Sequence, residues 1–178
     1  MKELIKLARL RLTDEITIIK RDFSTVLTEL SVEEKAVIYW YTNTGYLGIN
    51  EILRESKGNT TPQLGHLLNI ALSKLSTYNF FVYRGLRFTN SRIQKYKQAL
   101  ENETPIIEYG FTSASTRLET ASQFGQIILT IFPKNGKSIE NISKFVNEKE
   151  VLFTKGSQFM VLDIKQENNY HFITLEEI

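Results

Sequence analysis

Phe80-Phe81-Val82-Tyr83-Arg84-Gly85 marks the point at which the periodicity of the chain changes. An unbroken run of aromatic and branched residues favours an extended strand, and the run ends on a charge and a glycine. Upstream, apolar residues recur at helical spacing. Ile5, Ala8, Leu12, Ile16, Ile19, Phe23, Leu27 and Leu30 predict a helix over 4–30, broken near Thr13-Asp14, with Lys6, Arg9, Lys20 and Arg21 on its other face. Ser31-Val32-Glu33-Glu34 has the form of a capping box and predicts a second helix running to Trp40. Thr42-Asn43-Thr44-Gly45 reads as a turn, 46–55 as a short helix, 56–62 as a polar loop and 64–75 as another amphipathic helix.

Downstream the pattern is different. A modest helix over 90–100 is followed by short branched and aromatic runs at 106–109, 127–132, 150–153, 158–164 and 170–175, separated by Gly, Pro and Asn. Only 118–124 interrupts them with helical spacing. Helices over 1–75 and strands over 80–178 predict an α+β fold in a single domain, 1–178. There is no repeat, no Rossmann GxGxxG and no Walker loop.

The composition narrows the function. At 178 residues, 42% hydrophobic and 24% charged, the chain has the balance of a soluble globular domain. Twenty-two Lys and Arg against 20 Asp and Glu give a net charge of +2, with no basic excess that would argue for nucleic acid. Cysteine is absent, and the only histidines, His66 and His171, are far apart. Disulfides and thiolate chemistry are thereby removed, and the spacing for a metal centre is missing. A charge every few positions in 1–12 leaves no signal-peptide run, and no stretch approaches the ~20 apolar residues of a membrane span. The expectation is a soluble chain with no membrane partner, acting where it is made or having lost a targeting segment.

Three places carry candidate chemistry. Arg84, at the end of an apolar strand, can present a rigid donor fork to a phosphate or carboxylate, or simply pair with a structural carboxylate. Gly110-Phe111-Thr112-Ser113-Ala114-Ser115-Thr116 offers four hydroxyls in five residues; it is either a polar turn or an extended run with Ser113 and Ser115 on one face. Phe145-Val146-Asn147-Glu148-Lys149-Glu150 leads into Val151-Leu152-Phe153. As a strand start it would send both glutamates from one face about 6.6 Å apart, at a cleft edge or in solvent. Two neighbouring carboxylates, an arginine and an inward serine meet the electrostatic demand of breaking a glycosidic bond with oxocarbenium character.

Taken in order, these motifs resemble the arginine-serine-glutamate class of mono-ADP-ribosyltransferases, which includes binary-toxin enzyme components, bacteriophage transferases and vertebrate arginine-specific ecto-enzymes. Tyr83-Arg84-Gly85 resembles the arginine strand, and Phe111-Thr112-Ser113-Ala114-Ser115 the serine-threonine-serine motif with Ala114 in the central place. Phe145-x-x-Glu148-x-Glu150 resembles the substrate-recognition loop and glutamate pair. Tyr41-Thr42, Tyr46, Ile49-Asn50 and Leu53-Arg54 resemble the helical border of the NAD cleft.

The resemblance implies two perpendicular, mostly antiparallel sheets forming an NAD cleft, flanked by the N-terminal helices. It implies catalytic roles for Glu150, Glu148, Ser113 and Arg84, and NAD+ contacts from Arg84, Gly85, Ser113, Ser115, Tyr46, Asn50 and Arg54. Phe145 and Glu148 would recognise the acceptor. NAD+ would be consumed as co-substrate without a metal, and ADP-ribose passed to an arginine of a target protein. The chain would act in a host cytoplasm if phage-encoded, or as a delivered toxin domain. A catalytically silent NAD- or partner-binding relative, or a chain that is mainly an NAD glycohydrolase, is the alternative. Ala114 removes a hydroxyl from the motif, and a local packing change is the expected consequence.

Overall fold

A computed structural model describes residues 1–178. Its helical part comprises α1 (Lys2–Arg11), α2 (Thr13–Asp22), α3 (Val32–Trp40), α4 (Tyr46–Glu55) and α5 (Gln63–Ser73). α1 and α2 are one amphipathic run broken where expected: Leu12 leaves helical geometry (φ −119°) and buries its side chain. The run does not reach residue 30, however. It stops at Asp22, and the chain then turns, with Leu27 in the left-handed region at φ +47°. Phe23, Leu27 and Leu30 still pack on the helical core. Apolar spacing alone cannot distinguish a helix from a chain returning to the same core.

The capping box forms as predicted. Ser31 Oγ accepts the Glu34 N–H at 3.3 Å, and the Glu34 carboxylate accepts the Ser31 N–H at 2.8 Å. Between α3 and α4 the expected turn is instead a π-helix, Tyr41–Gly45, so the two helices are continuous. Such wide turns recur at functional sites because they rotate the side chains that follow. Gly45 is required here: a Cβ would stand 2.5 Å from the Trp40 ring.

The second part contains β1 (Val82–Leu86), α6 (Asn90–Glu101), β2 (Ile106–Glu108), β3 (Thr112–Ser115), α7 (Leu118–Ser122), β4 (Ile127–Phe132), β5 (Lys137–Ser138), β6 (Glu150–Phe153), β7 (Ser157–Glu167) and β8 (Tyr170–Glu177). β1 starts at Val82, and Phe80 and Phe81 ahead of it are exposed. Two-residue β5 is too short to leave a pattern in the sequence. The strands run in the order β2-β7-β8-β4-β1-β3-β6-β5, antiparallel except for β4 with β8. The separate sheets expected are thus linked into one eight-stranded order. Its narrowest joint is a single Cα pair, Tyr83 with Ser115, between β1 and β3.

Two apolar cores lie on either side of the three strands beyond that joint. Leu152 of β6 faces the helical core with Phe111, while Val151 and Phe153 face the core under the larger group of strands. A strand covered on both faces reads as a continuous apolar run, which is why 151–153 shows no alternation. Ala114 joins the second core opposite Val151, so the departure from the serine-threonine-serine pattern is a packing residue.

Candidate active site

The joint between β1 and β3 is where the predicted residues converge. Arg84, half-buried on β1, donates through Nη1 to the Ser113 carbonyl oxygen, the one hydrogen bond of its side chain within the protein. Its fork therefore spans the two groups of strands and keeps donors for an anion. Ser113 Oγ donates to Glu150 Oε1 at 2.7 Å, and Ser143 Oγ donates to Glu150 Oε2 at 3.0 Å. Glu150 is buried, which pushes its carboxyl above the usual range. The two serine hydroxyls act against that push, the charge of Glu148 adds to it, and Arg84 opposes it.

Glu148 reaches the same cavity by a route other than strand alternation. Val146–Glu148 is a 3-10 turn, and Lys149 follows in the left-handed region at φ +49°. Only Glu150 lies in β6, so the fixed strand spacing anticipated for the pair does not apply. Ser115 Oγ donates to the Glu148 carbonyl oxygen at 2.6 Å and accepts the Arg117 N–H at 3.0 Å. Ser115 thus anchors the turn that carries Glu148. Partial burial raises the Glu148 carboxyl as well.

All ten residues singled out in the sequence line one cavity of about 460 Å³: Tyr46, Asn50, Arg54, Arg84, Gly85, Ser113, Ser115, Phe145, Glu148 and Glu150. That volume is within the range of small-molecule sites. A second cavity, about 490 Å³, opens beside it and shares Arg54 and Arg84. Arg54 and Tyr46 are exposed at the rim, as is Phe145.

Asn50 and Gly85 have structural reasons to be there. Asn50 is buried; its Nδ2 donates to the Tyr41 hydroxyl at 2.9 Å and the Phe111 carbonyl at 3.1 Å, and its Oδ1 accepts the Phe111 N–H at 2.8 Å. It clamps α4 to the chain entering β3. A Cβ on Gly85 would stand 1.8 Å from the Ala121 carbonyl oxygen, so the glycine admits the close approach of α7. Asn50→Ala strips the buried Phe111 N–H of its acceptor and is expected to cost about 2–3 kcal/mol, a fall in Tm of roughly 5–10 °C by thermal unfolding.

The sequence reading did not single out Ser143, which sits in a short polar stretch with no recognisable pattern, or Phe124 and Ala121, which line the cavity from the end of α7. No group of three or more His, Cys, Asp or Glu side chains converges anywhere in the chain. No helix is long and apolar enough to cross a membrane.

Residues 19–177 match the family model described as ADP-ribosyltransferase exoenzyme. The chain is 31% identical over 145 residues to the putative NAD(+)–arginine ADP-ribosyltransferase Mav of Mycobacterium avium (strain 104), covering 79% of this chain and 17% of that protein. It is 30% identical over 162 residues to the NAD(+)–protein-arginine ADP-ribosyltransferase Tre1 of Serratia proteamaculans (strain 568), covering 87% and 33%. The chain thus spans about a sixth and a third of the length of these two relatives. Among solved structures, the ADP-ribosyltransferase HopU1 of Pseudomonas syringae pv. Tomato DC3000 superposes with a TM-score of 0.84 at 20% identity, covering 94% of this chain and 87% of that one. That likeness establishes the α+β fold.

Proposed function

The chain belongs to the ADP-ribosyltransferase exoenzyme family, and from that premise we propose that it transfers ADP-ribose from NAD+ to an arginine side chain of a target protein. The observation that carries the reading is a cavity holding two carboxylates in different surroundings: Glu150 buried between two serine hydroxyls, and Glu148 half-exposed on a turn. The arginine-transferase names of the two curated relatives support the choice of acceptor.

In this reading the bond between nicotinamide and ribose C1 breaks, and its electron pair leaves on the nicotinamide nitrogen as a neutral product. Positive charge develops on the ribose, where the fixed Glu150 carboxylate is worth most. Arg84 holds the diphosphate with its free donors. A guanidinium has a pKa above 12 and is a poor nucleophile. Glu148 therefore orients it and takes the proton released as the guanidine nitrogen bonds to ribose C1. Ser115 sets Glu148 through its carbonyl, while Tyr46, Arg54 and Phe145 border the mouth. Residues 1–178 work as one transferase unit inside a target cell, whether made there or delivered there. Water captures the same intermediate slowly, so NAD+ hydrolysis is a side reaction.

The test is incubation with labelled NAD+ and lysate of candidate host cells, followed by mass spectrometry of labelled proteins. Label on arginine supports the reading, and label on other side chains or none refutes it. Arg84→Lys keeps a charge but loses the fork and its bridge to Ser113. It is expected to weaken NAD+ binding by about tenfold or more and to lower Tm, measured by calorimetry and thermal unfolding; unchanged binding would place Arg84 outside the diphosphate site.

A further inference from the structure

Ser143 is 1% exposed, and its hydroxyl is shared between two parts of the candidate site. It donates to Glu150 Oε2 at 3.0 Å and accepts the Phe145 N–H at 3.2 Å. The neighbouring Lys144 N–H is held by Thr42 Oγ1 at 2.9 Å, and Thr42 in turn donates to the Tyr39 carbonyl at 2.9 Å. The start of the loop that carries Phe145 and Val146 is therefore pinned at two consecutive amides, once to the serine hydroxyl that meets the carboxylate and once to the helical part. Beyond those pins Phe145 and Val146 stand half in solvent, at 47% and 48% exposure.

We propose that Ser143 is a positioning residue that sets the Glu150 carboxylate and the acceptor-facing loop in register with each other. The inference rests on the transferase reading above and names a residue which that mechanism does not use. A serine hydroxyl has one proton and two lone pairs. Giving the proton to Oε2 leaves both lone pairs, one of which takes the Phe145 N–H. The accepted N–H polarises the hydroxyl and strengthens its donation to Oε2, most of all when Oε2 is ionised. The loop and the ionised carboxylate consequently favour each other, and the serine holds the ribose-facing oxygen and the acceptor-facing backbone in one geometry.

Other charged and titratable groups act on the same carboxylate. Glu148 from the turn favours its protonation and Arg84 from β1 favours its ionisation, while the Tyr41 hydroxyl is raised chiefly by burial and further by the Glu150 charge. None of these is bonded to the loop amides, so Ser143 alone couples the two.

Three activity readouts and an unfolding curve test this on the full chain: NAD+ hydrolysis without acceptor, transfer to a free guanidine such as agmatine, and the acid limb of the pH–rate profile. Ser143→Ala should lower kcat for hydrolysis about tenfold, the worth of one hydrogen bond to a charged group, with little change in KM for NAD+. Its acid limb should move to higher pH, because a donor to the anion is gone. KM for the guanidine should rise as well. Thr42→Val releases the Lys144 amide without touching Glu150, and should raise KM for the guanidine while leaving the acid limb in place. If Ser143→Ala does not fold, Ser143→Cys, nearly isosteric but a weak donor, should give the same shifts at smaller size. An acid limb at the parent position in the folded Ser143 variant overturns the proposal, as does an unchanged KM for the guanidine. A parent chain with neither NAD+ hydrolysis nor guanidine transfer overturns the transferase reading itself, and this inference with it.

Discussion

Replacing Glu150 by glutamine is expected to lower both arginine transfer and acceptor-free NAD+ hydrolysis by at least ~10², or about 2.7 kcal/mol of transition-state stabilisation. Glutamine keeps the length of the side chain and can still meet Ser113 and Ser143, whose hydroxyls rotate to accept as readily as to donate. Only the charge is lost. The stability of the variant should move the other way. Burial raises the folded-state pKa of Glu150, so the folded chain holds that proton more tightly than the unfolded one. Such a carboxyl makes the fold less stable as pH rises past its ordinary value, and the glutamine removes that dependence. The expected outcome at neutral pH is a Tm equal to or above the parent's, with nicotinamide release almost gone. A variant whose transfer stays within threefold of the parent would remove Glu150 from the reaction. One whose activity falls only alongside its Tm would make Glu150 a structural residue.

The same residues show how far a sequence carries such a site. Arg84, Ser113 and Glu150 are legible because their motifs stand beside strands, and a strand gives each side chain a fixed direction. The capping box at Ser31 and Glu34 is legible for a similar reason, since both its hydrogen bonds are local. Legibility ends where the geometry depends on a contact distant in sequence. Thr42-Asn43-Thr44-Gly45 has turn chemistry, yet the chain stays helical through a π-turn, and Thr42 Oγ1 accepts the Lys144 N–H from 102 positions away. Asn50 looks like a cleft residue but is occupied by Phe111, 61 positions away. Ser143 is an unremarkable serine until the loop folds it back onto Glu150. Glu148 shares a cavity with Glu150, but not through strand spacing, because Lys149 turns the chain through the left-handed region between the two glutamates.

That turn bears on the last expected result, the separation of acceptor chemistry from bond cleavage. Glu150 is fixed in β6 and buried, whereas Glu148 sits on a 3-10 turn anchored through its own backbone by Ser115, with its side chain partly in solvent. A change at the Glu148 side chain therefore leaves the anchor and the buried carboxylate intact. Glu148→Gln should nearly abolish arginine modification while preserving most of the slow hydrolysis of NAD+. Water needs little help in capturing an oxocarbenium ion, but a protonated guanidinium needs orientation and a base. Loss of the Glu148 charge also relieves its repulsion of Glu150, so the acid limb of the residual hydrolysis should shift to lower pH. The measurement is parallel for parent and variant: labelled arginine product, nicotinamide release without acceptor, and the pH dependence of the latter. Equal losses in both reactions would assign Glu148 to cleavage or to the integrity of the site. Full retention of arginine transfer would end the reading of this chain as arginine-directed.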